Sequence, residues 1–168
     1  MPLAALNDLP PDARADELQK CCGAPAWVAA MNQLFPFDDQ EALLAAADHV
    51  WYGLTETDWR EAFSHHPRIG DVGALREKFA STAAWAAGEQ GAVQQASEAT
   101  LQALQQGNEE YEQKFGYIFI VCATGKSAAE MLGLLQARLP HSPAAEIQVA
   151  MREQARITRL RLQKLLAA

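Results

Sequence analysis

One short run constrains this chain more than any other feature. Tyr117–Cys122 is apolar throughout and rich in β-branched and aromatic residues, and it is the one segment that reads as a strand. A strand needs a pairing partner, so a single one cannot make a sheet. The rest of the chain is dominated by Ala, Leu, Gln and Glu, all good helix formers. The sequence therefore predicts an all-α fold. It is a compact single-domain bundle of about seven to nine helices, with 117–122 as a buried extended segment.

Pro, Gly and short polar residues punctuate the helices. A first helix is predicted over about Pro11–Cys22, ended by Gly23. A second starts at Pro25 and ends near Phe35-Pro36. Asp38 or Asp39 caps a third that runs to Tyr52 and Gly53. Thr55 or Thr57 caps a fourth that ends near Ser64. A short helix follows over Val72–Ala80. A long one from about Ala83 is ended by Gly107, and Asn108 caps another that closes at Phe115-Gly116. Ser127–Leu139 is helical, and Ser142-Pro143 opens the last helix.

The length of 168 residues suits one domain, 1–168. Fourteen basic against 21 acidic residues leave a net charge of −7, which disfavours nucleic acid as a partner. No run approaches the roughly 20 apolar residues of a membrane span, so no membrane partner is expected. The first residues lack the basic and apolar regions of a signal peptide, and the last are not a peroxisomal address. Cys21 and Cys22 are adjacent and Cys122 lies in the apolar run, which gives no disulfide framework and predicts a reducing, cytoplasmic setting. A homodimer is compatible with the sequence, which does not fix the assembly.

Three polar residues break the helical pattern, and burying a charge is costly without a partner or a purpose. Glu89 falls in a stripe with Trp85, Ala92, Val93, Ala96, Thr100 and Ala103, with Gln90 at its edge. On the last helix, Arg152, Arg156 and Arg159 gather on one side. Ile147, Ala150, Met151, Ile157 and Leu165 gather on the other. Arg161 falls on that apolar side and predicts a buried cation that needs an anion or a carbonyl oxygen, a structural carboxylate being the plain alternative. His66 precedes Pro67, which pushes it out of the helical region and presents an imidazole at a stiff corner. Capping is the plain role for His65 and His66.

Other signals are weak. Gly125-Lys126-Ser127 matches only the end of a P-loop, because Ile120 stands where the first glycine belongs. His49, His65, His66 and His141 lack metal-ligand spacing, so no metal is expected. No nucleophile elbow is present.

Four segments taken in order resemble one enzyme family. They are His65–Gly70, then Glu89-Gln90-Gly91, then Phe115–Val121 running into Gly125-Lys126-Ser127, and finally Ala155–Leu162. Their order and spacing resemble the 2-oxo-4-hydroxy-4-carboxy-5-ureidoimidazoline (OHCU) decarboxylases of urate breakdown, from the Asn32–Pro36 region to the last helix. The resemblance implies an all-helical enzyme without metal or organic cofactor that releases CO₂ from its small-molecule substrate to give (S)-allantoin. It assigns catalysis to His66 and Glu89. It assigns substrate contacts to Pro67, Gln90 and Arg161, and to backbone groups among Phe119, Ile120 and Val121. The family's serine three residues before the glutamate is Ala86 here.

The chemistry agrees with the irregular residues. Loss of CO₂ leaves an electron pair that the ring can take up as an enolate, so no external sink is required. The site needs donors where charge develops and a proton donor on one face. The rival is a non-catalytic helical interaction module in which Arg161 and Glu89 pair structurally and His66 only caps a helix.

Overall fold

Side-chain caps open the helices where the sequence places them. Asp39 accepts from the Ala42 amide and starts a helix over Gln40–Tyr52. Thr55 and Asp58 form a reciprocal capping box at the start of Glu56–Ser64. Ser127 accepts from the Glu130 amide ahead of Ala128–Arg138. Ser142 accepts from the Ala145 amide at the head of the last helix, at 3.2 Å.

The computed structural model describes the backbone of residues 1–68, 72–84 and 90–168, and their side chains except at 78, 80–84 and 90–97. Nine helices are described: α1 (Leu3–Asp8), α2 (Pro11–Cys21), α3 (Pro25–Leu34), α4 (Gln40–Tyr52), α5 (Glu56–Ser64), α6 (Val72–Ala84), α7 (Gln90–Phe115), α8 (Ala128–Arg138) and α9 (Pro143–Ala167). Among the described residues there is no strand. Residues 117–122 join α7 to α8 with a bend at Tyr117 and neither helix nor strand, and Tyr117, Phe119, Ile120 and Cys122 are buried.

Three expectations change. α1 has no side-chain cap and was not predicted. Tertiary bonds hold it: Asn7 exchanges two hydrogen bonds with the Phe37 backbone, and Arg14 donates to the Asn7 carbonyl at 3.0 Å. α6 runs past Ala80 to Ala84, so Ala83 ends one helix and does not open the long one, which is described from Gln90. Gly107 does not end a helix and Asn108 does not start one. α7 runs through both, and Asn108 donates back to the Leu104 carbonyl at 2.8 Å. The glycine is there for packing instead. A Cβ at Gly107 would lie 2.6 Å from Leu135 Cδ2 on α8, so its absence lets the two helices approach closely.

The described chain divides into two units. The first comprises Met1–His66, Ile120–Cys122 and Ile147–Ala168. In it α3 packs on α2, α4 and α5. Three buried indoles tie its helices together by donating to backbone carbonyls. Trp27 bonds Ala47 at 3.2 Å, Trp59 bonds Trp51 at 3.0 Å, and Trp51 bonds Met151 at 2.7 Å. An indole N–H left unpaired in a core would be costly, so these bonds fix how α4 meets α3, α5 and α9.

The second unit comprises Pro67–Phe119 and Ala123–Glu146. There α7 packs on α6 and α8. Its core holds the rings of Tyr111, Phe115, Tyr117 and Phe119. It also holds a buried ion pair that the sequence did not disclose. Arg138 Nε meets Glu146 Oε1 at 2.6 Å, and Tyr111 donates its hydroxyl to the same oxygen at 2.6 Å. His141 Nδ1 lies 2.9 Å from the other carboxylate oxygen.

Candidate active site

α5 ends in a pair of histidines with different fates. His65 occupies the C-cap position and its amide donates to the Ala62 carbonyl. Its ring is exposed and lies 3.2 Å from Glu61 one turn back. The His66 amide likewise donates to the Phe63 carbonyl at 3.2 Å, so both backbones close the helix and the two rings differ in where they go. Gly23 lies directly against it: a Cβ there would stand 2.5 Å from His65 Cγ, so the α2–α3 corner needs glycine to pass.

His66 is half-buried and turns to α9. Its Nε2 lies 2.5 Å from Gln154 Oε1, and its Nδ1 lies 3.5 Å from Arg161 Nη2. Gln154 is fully buried, and its Nε2 donates to the Thr158 hydroxyl at 3.1 Å. Burial chiefly pushes the His66 imidazole below its ordinary pKa, helped by the Arg161 cation and by His65, while the Gln154 hydrogen bond acts in the opposite sense. The result is a neutral imidazole at neutral pH.

Arg161 is half-buried, not buried as its place on the apolar stripe predicts. Of the predicted stripe Ile147, Ala150 and Met151 are buried, while Ile157 and Leu165 are half-buried like Arg161; the buried face runs instead through Gln154, Thr158 and Leu162. Cover thins toward the end of α9, where Leu160, Leu165 and Leu166 are also half-buried. The guanidinium makes two long contacts of 3.5 Å, to His66 Nδ1 and to the Lys20 carbonyl. Among the described residues it forms no ion pair, so the structural-carboxylate alternative is not met there. Arg152, Arg156 and Arg159 are exposed, with Arg156 paired to Glu153 and Arg159 to Asp48.

The thiols of Cys21 and Cys22, at the end of α2, complete this corner. Both are buried and free, and desolvation pushes each up to about 11. Ile120 is buried and Val121 half-buried in the same unit as His66 and Arg161. Phe119 belongs to the other unit, with its ring against Tyr111 and under Arg138. Pro67, exposed, opens that second unit. Glu89, Trp85, Ala86, Ile69 and Gly70 lie outside the described residues, and so does the side chain of Gln90, whose backbone opens α7.

Sequence reasoning thus places His66 and Arg161 on elements that do meet, and it missed Gln154 and Thr158. Their signal was available. Both lie on the apolar face of α9, at four-residue spacing from Ala150 through Leu162.

The corner joins a neutral base to a lightly held cation, a combination suited to proton transfer next to an oxygen that gains charge. A family model described as OHCU decarboxylase matches residues 7–163. The uric acid degradation bifunctional protein TTL of Arabidopsis thaliana is 39% identical over 153 residues, covering 89% of this chain and 46% of that protein. The chain therefore spans less than half the length of that relative. The 2-oxo-4-hydroxy-4-carboxy-5-ureidoimidazoline decarboxylase of Haloferax volcanii is 24% identical over 161 residues, covering 95% of this chain and 93% of that protein. A crystal structure of OHCU decarboxylase in the presence of (S)-allantoin matches with a TM-score of 0.72 at 34% identity, covering 91% of this chain and 99% of that one. A crystal structure of (S)-allantoin synthase, 18% identical, shares the fold at a TM-score of 0.70, covering 98% of this chain and 54% of that one.

Proposed function

The chain belongs to the OHCU decarboxylase family, and from that premise we propose that it converts 2-oxo-4-hydroxy-4-carboxy-5-ureidoimidazoline to (S)-allantoin and CO₂ as a single catalytic domain, with no cofactor. The observation that carries this reading is the neutral His66 with Nδ1 turned to an Arg161 that holds no carboxylate among the described residues.

Neutral His66 takes the proton of the substrate hydroxyl at Nδ1. The bond to the carboxylate then breaks, CO₂ leaves, and the electron pair passes into the ring. One ring-bound oxygen gains enolate character, and Arg161 donates to it. Protonated His66 returns its proton to the ring carbon on one face, which sets the product's handedness. The net change replaces a carboxylate by hydrogen, with one proton drawn from solvent. Arg161 acts on the developing enolate and not on the departing carboxylate, since a cation clamped on the carboxylate would stabilise the ground state and oppose CO₂ loss. Glu89 accepts hydrogen bonds from ureido or ring N–H groups and Gln90 pairs with an amide edge. Pro67 and the 119–121 backbone complete the substrate contacts. The reduced thiols of Cys21 and Cys22 support a cytoplasmic setting.

The test generates the substrate with urate oxidase and hydroxyisourate hydrolase, adds the protein and follows the optical rotation of allantoin. Enantiomerically enriched (S)-allantoin is expected, and a racemate formed at the uncatalysed rate rejects the reading. Arg161→Lys should lower kcat/KM by about 10–100-fold, because a point charge does not reproduce a planar fork on a charged oxygen. Steady-state kinetics check this, and a variant as active as the parent removes Arg161 from the site. Glu89→Gln should lose about tenfold or more in the same assay, since only the carboxylate accepts at both oxygens. An unaltered rate would leave Glu89 without a role in catalysis.

A further inference from the structure

Gln154 is a polar side chain with no solvent exposure on a face of α9 that is apolar apart from it and Thr158. Such a group must satisfy its hydrogen bonds internally. Its amide nitrogen faces the Thr158 hydroxyl, and its oxygen faces His66 Nε2. An amide oxygen only accepts, so the proton on the neutral imidazole sits on Nε2. On the other side of the ring a guanidinium, which carries only donors, lies 3.5 Å from His66 Nδ1, a long contact that suits a lone pair there. The short bond to Gln154 sets the tautomer and the Arg161 side is compatible with it.

We propose that Gln154, held by Thr158, is a positioning residue that fixes His66 as the Nε2–H tautomer and leaves Nδ1, on the Arg161 side, as the atom that accepts the proton. The proposal rests on the decarboxylase reading for what that proton is, but the tautomer itself does not depend on it. In their unit, the charged and titratable groups facing His66 are Arg161 on α9 and His65 beside it on the chain, with His65 held by Glu61. Among the described residues no carboxylate contacts the ring. An amide at position 154 therefore orients the imidazole without holding it protonated. A carboxylate in the same place would orient it equally well and stabilise the imidazolium, which cannot act as a base at neutral pH.

The experiment uses the full chain with ¹⁵N-labelled histidine and records the ring nitrogens of His66 across pH, next to kcat/KM–pH profiles. The His66 signals are assigned by their loss in His66→Asn. The parent protein should show a protonated Nε2 and a lone-pair Nδ1 at neutral pH. Gln154→Glu should raise the proton affinity of His66 at least tenfold, one pKa unit, and carry the acid limb of the rate profile upward by the same amount. Thr158→Val should lower kcat more than it changes KM and give a mixture of tautomers. If Gln154→Glu fails to fold, the parent spectrum and Thr158→Val decide the matter. A parent imidazole protonated on Nδ1, or a Gln154→Glu protein that titrates like the parent, overturns the proposal even if the decarboxylase is active. The expected tautomer in a protein that does not turn over the ureidoimidazoline overturns the proposed function and leaves the role of Gln154 in place.

Discussion

His66→Asn should lower kcat/KM by about 10²–10⁴-fold, the usual contribution of a general acid–base group, while the protein stays folded. The asparagine amide ends near the place of Nδ1 and falls short of Gln154 Oε1, so it keeps a polar atom beside Arg161. What disappears is the basic ring nitrogen, since an amide takes up no proton at neutral pH. His65→Ala is the control, and it should stay close to the parent rate because its ring is exposed and, among the described residues, bonded to Glu61 on the surface. The pH dependence follows from the direction of the shift. Burial and Arg161 hold His66 below its ordinary value of 6.5, so the base form persists through neutral pH. Activity should fall only on the acid side of the ordinary imidazole range. Stability moves in the same direction. Unfolded His66 takes a proton more readily than the folded ring does, so this residue weakens the fold as pH drops below the unfolded value and costs nothing above it. Rate profiles and thermal melts of the two variants check these points. A dead His65→Ala protein beside an active His66→Asn protein would reverse the assignment within the pair.

The largest loss of stability is expected in the second unit, from Arg138→Met. It leaves the fully buried Glu146 carboxylate without the cation that lies 2.6 Å from it. Breaking a buried pair by removing one partner typically costs about 3–5 kcal/mol. Tyr111 and His141 still reach the carboxylate and soften the loss without replacing a full charge. The double variant Arg138→Met/Glu146→Leu should recover much of it, since neither member of the pair is then left buried without its partner. Denaturant unfolding of the single and double variants measures both effects. A single variant within about 1 kcal/mol of the parent would mean that water reaches the pair.

Helix starts were the most legible part of this fold. Asp39, Thr55, Ser127 and Ser142 act locally, each on an amide three residues ahead, and local chemistry is what a sequence displays. α1 was illegible because nothing local caps it, and its hold comes from Phe37 and Arg14. Gly107 misled for a related reason. Read locally it is a helix breaker, and only the nearness of Leu135 explains it. In the candidate site, His66 stood out through Pro67, and Arg161 through its place on an apolar stripe. Gln154 shared that stripe but carries no charge, so it raised no question until the imidazole arrived from 88 residues away. Glu146 was hidden in the same way, since a glutamate in the first turn of a helix is an ordinary favourable feature of its dipole.

The two thiols at the end of α2 give this corner an unusual chemical quietness. With both pushed up to about 11, only about one in 10⁴ is ionised at pH 7. The thiolate is the form that attacks electrophiles and peroxides, so Cys21 and Cys22 react slowly although neither is in a disulfide. The same surroundings that empty the His66 imidazole of its proton keep the neighbouring sulfurs full of theirs. Both effects come from loss of water and a nearby guanidinium too weak to offset it at sulfur. A shortage of water thus arms the base and disarms the nucleophiles, which keeps proton transfer in this corner insulated from the redox state of its surroundings.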